Sequence, residues 1–179
     1  MLEAAHARFL RESYENVGLR DIAGDVGVDV ALVSRYFGSK EELFREVLGA
    51  GRKEDILPAD IEDDDISLYL AALFLEQNGN RAQDVERLLI ILRSASSPTA
   101  AQIVHEALRH DVLIPLAKRL GGHRPELRAS TAIAVWMGMT IMRTVIAVAP
   151  LERCDAEIEQ RLRLLFKTAL SERPVFLDQ

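Results

Sequence analysis

Residues 19–36 read LRDIAGDVGVDVALVSRY, and the fold follows from the way this stretch divides at Gly27. Before it, Leu19, Ile22, Ala23 and Val26 recur at spacings of three and four, the period of one helical face. Gly18 serves as a cap, and Asp21 falls in the first turn, where a carboxylate suits the positive end of the helix dipole. Gly27 then breaks the helix, and Asp29 caps a second one running to about Phe37. Ala23, four residues before Gly27, lets the two helices approach, while glycine supplies a left-handed turn residue. Leu19, Ile22, Val26, Val28 and Val33 form the apolar framework that packs the second helix steeply across the first. This is helix-turn-helix spacing. A second helix so placed enters a major groove with its first turns against base edges, which assigns base contact to Val30, Ala31, Ser34 and Arg35.

The flanks extend the pattern to four helices in the first 53 residues. Leu2, Ala5, Phe9 and Leu10 make an amphipathic stripe that fades at Ser13 and Tyr14. Ser39 caps a fourth helix that opens Lys40-Glu41-Glu42 and carries Leu43, Phe44, Val47 and Leu48. The whole run SYENVGLRDIAGDVGVDVALVSRYFGSKEELFREVL, residues 13–48, resembles the DNA-binding signature of TetR-family regulators. The features that carry the likeness are Tyr14, Arg20-Asp21-Ile22-Ala23, Gly27-Val28, Tyr36-Phe37 and Ser39-Lys40-Glu41 followed by Leu43. The resemblance implies that Tyr36 and Lys40 touch the DNA backbone, that Phe37 and Leu43 close the core, and that the helix ending in Tyr36 reads sequence. Residues 66–179 resemble the family's regulatory half more loosely. Arg20 and Lys40 flank the reading helix as cations, and a bidentate Arg35–guanine contact contributes roughly 1–3 kcal/mol of discrimination.

Charge sets a limit on how DNA is held. The net charge is −6, and residues 1–53 hold 8 Lys and Arg against 9 Asp and Glu. Residues 54–65 hold no cation against 7 acids, and the remainder holds 14 against 12. With no basic tail, binding rests on a few placed cations and on helix geometry. Family members usually carry a basic arm before the first helix, whereas this sequence opens at Met1-Leu2-Glu3, so either the arm lies outside it or nonspecific affinity is weak, and family members often carry tyrosine where Ser34 stands. These features keep open a different reading, a dimeric helical ligand-binding or protein-interaction module without useful DNA affinity.

Beyond the acidic connector at 54–65, helical patterns run over 66–78, 81–95, 98–120, 124–149 and 155–171, divided by Asn78-Gly79-Asn80, Ser96-Ser97-Pro98, Gly121-Gly122 and Ala149-Pro150. The expected class is all-α, with a DNA-binding domain at 1–53 and a ligand-binding and dimerisation domain at 66–179. Pro115 is expected to kink its helix, since it lacks a backbone donor. Residues 129–149 are apolar enough to raise the question of a membrane span, but Arg143 and four hydroxyl side chains make them a buried helix instead. A helix apolar on nearly all faces needs cover from all sides, and so small a chain points to a homodimer, with Ala132, Ala134 and Gly138 allowing close approach. Ile158, Leu162, Leu165, Phe166 and Ala169 form the apolar face of the amphipathic helix that follows, and the family resemblance implies that these last two helices pair with their symmetry mates in a four-helix dimer interface.

Trp136, Met137, Thr140 and Arg143, with Leu92, are the candidate lining of a pocket for a small organic effector, flexible and aromatic with a few polar groups. A Met and Trp stripe at helical spacing is more often simply a packed core. Arg143 needs either an acidic or carbonyl partner or an anionic ligand. His105 and His110 lie five residues apart, about 140° around a helix, which is poor geometry for one metal. No nucleophile–base set and no phosphate loop is present, so neither an enzyme nor a cofactor is expected. A single cysteine, Cys154, and no secretory signal place the expectation in the cytoplasm.

Overall fold

The computed structural model describes residues 1–49, 57–58, 61–62, 65–75, 80–152 and 155–172, and every regular element among them is helical. In chain order the helices are α1 (Leu2–Arg11), α2 (Leu19–Val26), α3 (Val30–Phe37), α4 (Lys40–Gly49), α5 (Ile66–Leu75), α6 (Asn80–Ser94), α7 (Pro98–Leu108), α8 (Ile114–Leu120), α9 (Pro125–Thr140), α10 (Ala149–Glu152) and α11 (Ala156–Leu170). A 3₁₀ turn spans Tyr14–Asn16, and π-helical stretches span Arg109–Leu113 and Ile141–Val145. The chain forms two compact units, one of Met1–Arg52 with Ala82–Arg109, the other of Lys53–Arg81 with His110–Gln179. The division expected at 54–65 therefore separates stretches of sequence but not the units, because residues 82–109 pack with the N-terminal helices. None of the helices described is long and apolar enough to cross a membrane.

The first unit has one apolar core. Ala5 and Phe9 of α1, Ile22 and Ala23 of α2, Val33 of α3, and Leu43, Phe44, Val47 and Leu48 of α4 are all buried in it. Ile90 of α6 and Ala100 and Ile103 of α7 join the same cluster, which is why those helices belong here. Phe44 meets Phe9 edge-on at 4.8 Å and Tyr14 edge-on at 5.0 Å between ring centroids, each pair contributing about 0.5–1.5 kcal/mol beyond burial. At the rim, Ser97 caps α7 by accepting from the Ala100 amide at 3.2 Å and donates to the Glu15 carboxylate. Arg45 of α4 reaches Glu106 of α7 at 3.0 Å, and Arg93 donates to the Arg11 carbonyl at 3.3 Å.

The turn between α2 and α3 takes the form its sequence demands. Gly27 adopts φ 68°, ψ 33°, and the Val28 amide returns to the Ala23 carbonyl at 3.0 Å, so the last carbonyls of α2 are satisfied. Asp29 then accepts from the Ala31 amide at 2.7 Å and starts α3.

In the second unit α5, α9 and α11 pack together around Ile66, Leu70, Phe74, Ala132, Ile158, Leu162 and Phe166. Leu57 and Ile61, from the acidic connector, find cover against this cluster, so that segment buries more than its composition implied. The pattern at 98–120 is one helix in register only as far as Leu108. The π-helical stretch precedes Pro115, which has no N–H to offer the Asp111 carbonyl, and α8 resumes at Ile114. The pattern at 124–149 likewise ends as α9 at Thr140 and a π-helical stretch to Val145. Asp155 caps α11 by accepting from the Ile158 amide at 3.0 Å. Leu165, on the apolar face of α11, is 46% exposed in the protomer, because the buried positions 158, 162, 166 and 170 follow one row of the helix and 165 lies beside it.

No atom would crowd a Cβ at Gly27, so its requirement is conformational alone. Gly27→Ala is expected to cost roughly 1–2 kcal/mol, the penalty of a left-handed alanine, as a lower urea midpoint at unchanged slope.

Candidate nucleic-acid interface

α3 has one face committed to the core and the other left bare. Val33 is wholly buried, Val30 and Phe37 are half-buried against the core, and Ala31, Leu32, Ser34, Arg35 and Tyr36 are exposed, Tyr36 by 72%. Ala31, Ser34 and Arg35 lie at spacings of three and four and so share a face. Of the four residues assigned to base contact, Val30 is the one the structure turns partly inward. Arg20 is exposed in the first turn of α2. Lys40 opens α4, and its ammonium lies 4.2 Å from the centroid of the Tyr14 ring. The backbone there is held by a reciprocal cap: the Ser39 amide donates to Glu42 at 2.8 Å, and the Glu42 amide donates to the Ser39 hydroxyl at 3.2 Å.

The cations of this unit divide by their partners. Arg8 grips Asp25 with two bonds, 2.5 and 2.7 Å, and reaches Glu12 at 3.1 Å. Arg45 is paired with Glu106. Among the described residues Arg20, Arg35 and Lys40 have no carboxylate partner. A guanidinium left free on an exposed helical face keeps its planar fork of donors for another molecule. Sequence reasoning named these three but had no means to see that Arg8 and Arg45 were already engaged. Nor did it attach a role to Tyr14 beside Lys40, since residues 26 apart in sequence give no signal of contact.

The effector candidates are divided between the two units. Leu92 belongs to the first unit and is 43% exposed, whereas Trp136, Met137, Thr140 and Arg143 belong to the second. Thr140 is buried and donates to the Trp136 carbonyl at 2.8 Å, so its hydroxyl is used within its own helix. Arg143 is buried, donates to the Phe74 carbonyl at 3.2 Å, and lies over the Phe74 ring with its guanidinium carbon 5.1 Å from the centroid. Of the two partner types open to it, a carbonyl is present. Trp136 and Met137 are half-buried, and the indole N–H of Trp136 is buried with no acceptor among the described residues. Separately, a cleft of about 350 Å³ is lined by Asp65, Ser67 and Leu68 with Gln160, Arg163, Leu164 and Lys167, none of which the sequence singled out.

A helix-turn-helix whose second helix presents free donors on an open face defines a DNA-binding regulator. Residues 1–47 match the family model described as bacterial regulatory proteins, tetR family, and residues 64–165 match that of the tetracyclin repressor-like C-terminal domain. The chain belongs to the TetR family of DNA-binding transcriptional regulators, the second match alone covering more than half of it. Salmonella enterica GusR shares the fold with a TM-score of 0.64 at 17% identity, over 94% of this chain and 92% of that one. A TetR-family regulator from Streptomyces coelicolor A3 aligns with a TM-score of 0.49 at 25% identity, over 94% and 91%. No curated protein matches.

The Arg8 clamp holds the Asp25 carboxyl below its usual range, chiefly through the direct hydrogen bonds. A depressed folded-state pKa contributes stability above the ordinary carboxylate value, roughly pH 4, that is lost as pH falls through the lower folded value. Asp25→Asn is therefore expected to lower Tm at neutral pH and to flatten the acid limb of a Tm-against-pH series, with the difference from wild type vanishing at the acid end.

Proposed function

We propose that the chain is a homodimeric repressor that reads an operator with α3 of each protomer and is released by a small organic molecule bound in the second unit. The observation that carries the reading is the outward face of α3: Ala31, Ser34 and an unpaired Arg35 stand opposite a wholly buried Val33. In this assignment Val30, Ala31, Ser34 and Arg35 face base edges, while Arg20, Tyr36 and Lys40 touch phosphates on either side. It operates in the cytoplasm.

Dimerisation is supported by a stripe of uncovered apolar and small side chains in the second unit. Leu127, Thr131, Ala134 and Gly138 of α9 are exposed, followed by Met142 and Val145 on the π-helical stretch; on α11, Leu164 is 59% exposed beside Leu165. Ala132 is buried in the protomer's own core, so Ala134 and Gly138 are the small residues left to admit a partner helix. Such a patch is what two copies bury against each other across a two-fold axis. The repressor assignment draws on the tetracyclin repressor-like description of the domain at 64–165. An effector site draws on Trp136, Met137, Thr140 and Arg143, where the unanswered indole N–H favours a ligand carrying a hydrogen-bond acceptor on an apolar body. In this reading, ligand packing among residues 66–148 shifts helices against the connector, and that movement changes the spacing of the two reading helices across the dimer.

The test is fluorescence anisotropy of the purified protein on its promoter-proximal DNA, at two salt concentrations and with random DNA as competitor. Salt-sensitive, competitor-resistant binding is expected; equal affinity for random DNA overturns the operator reading. Arg35→Ala is expected to lose about 1–3 kcal/mol and relax one operator position, whereas Lys40→Ala weakens all sequences alike. Leu164→Glu is expected to convert the dimer to a monomer in sedimentation equilibrium, and a dimer of unchanged affinity removes this stripe from the interface.

A further inference from the structure

The first unit contains an arrangement that neither its core nor the outward face of α3 explains. Tyr14 is buried at 3% exposure, with its ring in the cluster of Phe9 and Phe44 and its hydroxyl near the Glu41 carboxylate. Burial, with the nearby Glu41 carboxylate second, pushes the phenol up to about 12, so the ring is neutral wherever the protein works. What the residue offers outward is its π-face, and the Lys40 ammonium lies over that face at 4.2 Å from the centroid.

We propose that Tyr14 is a positioning residue for DNA binding, an aromatic platform that holds the Lys40 ammonium at the start of α4 in place to meet a phosphate. This rests on the reading of Lys40 as a phosphate contact. A lysine is a strongly hydrated point charge on a four-carbon stem, so a phosphate contact must ordinarily order that stem. Two restraints order it here before DNA arrives. The Ser39–Glu42 capping box fixes the backbone of the first turn of α4, and the ring attracts the cation through its electron-rich face. The platform is itself immobile, because Phe44 packs edge-on against Tyr14 from the same helix that carries Lys40. A carboxylate in the same place would neutralise the cation; a ring face holds it and leaves its charge available.

Phosphate contacts are sequence-independent and are read in the salt dependence of binding, about 0.9 in the slope of log K against log salt for each phosphate neutralised. The probe is a fluorescein-labelled duplex of mixed sequence, titrated with the full-length protein across a salt series. Lys40→Ala is expected to reduce the slope by about one per protomer. Tyr14→Leu reproduces that loss and changes nothing further in the Lys40→Ala background. Tyr14→Phe keeps the ring, discards only the hydroxyl, and retains the wild-type slope. Ile103→Val loosens the same core from α7 while leaving the Phe44–Tyr14 ring pair in place, and retains the slope as well, which separates positioning from general destabilisation. A second readout needs neither DNA nor a variant: the Lys40 side-chain methylene protons are expected upfield in the wild-type NMR spectrum from the Tyr14 ring current.

Two results overturn the proposal while leaving the DNA reading intact: a folded Tyr14→Leu protein with the wild-type slope, or Lys40 methylenes at unshifted positions. If Tyr14→Leu fails to fold, the ring-current shift and the Tyr14→Phe slope decide alone. A wild-type protein with no salt-dependent binding, or a Lys40→Ala slope equal to wild type, overturns the phosphate reading itself and this one with it.

Discussion

The first unit depends on a single constraint: the aromatic cluster of Phe9, Tyr14 and Phe44 must be buried, and no one helix can bury it. Phe9 comes from α1, Tyr14 from the turn that follows, and Phe44 from α4, while Ile90, Ala100 and Ile103 close the same core from helices far along the chain. At roughly 1.5–3 kcal/mol for each large side chain buried, these contacts outweigh any individual cap or surface ion pair. Because they join α4 and α7 in one core, residues 82–109 take part in holding the reading helix although the sequence separates them from it.

That packing also determines which polar groups remain for DNA. Once Val33 is inside and Gly27 has set the turn, the positions three and four along α3 from Ala31 face outward by helical geometry. The unit then sorts its cations. Arg8 and Arg45 are tied to carboxylates across helices, and Arg20, Arg35 and Lys40 are not. In a chain of net charge −6, the placement of a few unpaired cations counts for more than their number.

The second unit is arranged differently. Its core of α5, α9 and α11 uses one row of α11 and one side of α9, and Leu127, Met142, Val145, Leu164 and Leu165 stay exposed. Arg143 is satisfied by a carbonyl and an aromatic face, while the Trp136 indole N–H is left buried and unanswered. A buried donor without an acceptor costs about 1–3 kcal/mol, a cost that a bound acceptor recovers.

Much of this was legible in the residues themselves. Apolar spacing of three and four, glycine at 27, aspartate at 29 and serine at 39 and 97 set the helical class and the turn, since these depend on neighbours a few residues away. The outward side of α3 was legible for the same reason. What only the tertiary structure decided were contacts between residues distant in the chain: Ile90 and Ile103 beside Phe9, Glu106 on Arg45, Tyr14 beneath Lys40, Leu92 in a different unit from Trp136, and Leu165 outside the row that α11 buries. Helical periodicity states which side chains share a face. Which face is covered, and by what, is settled by packing between elements whose order in space the local pattern does not encode.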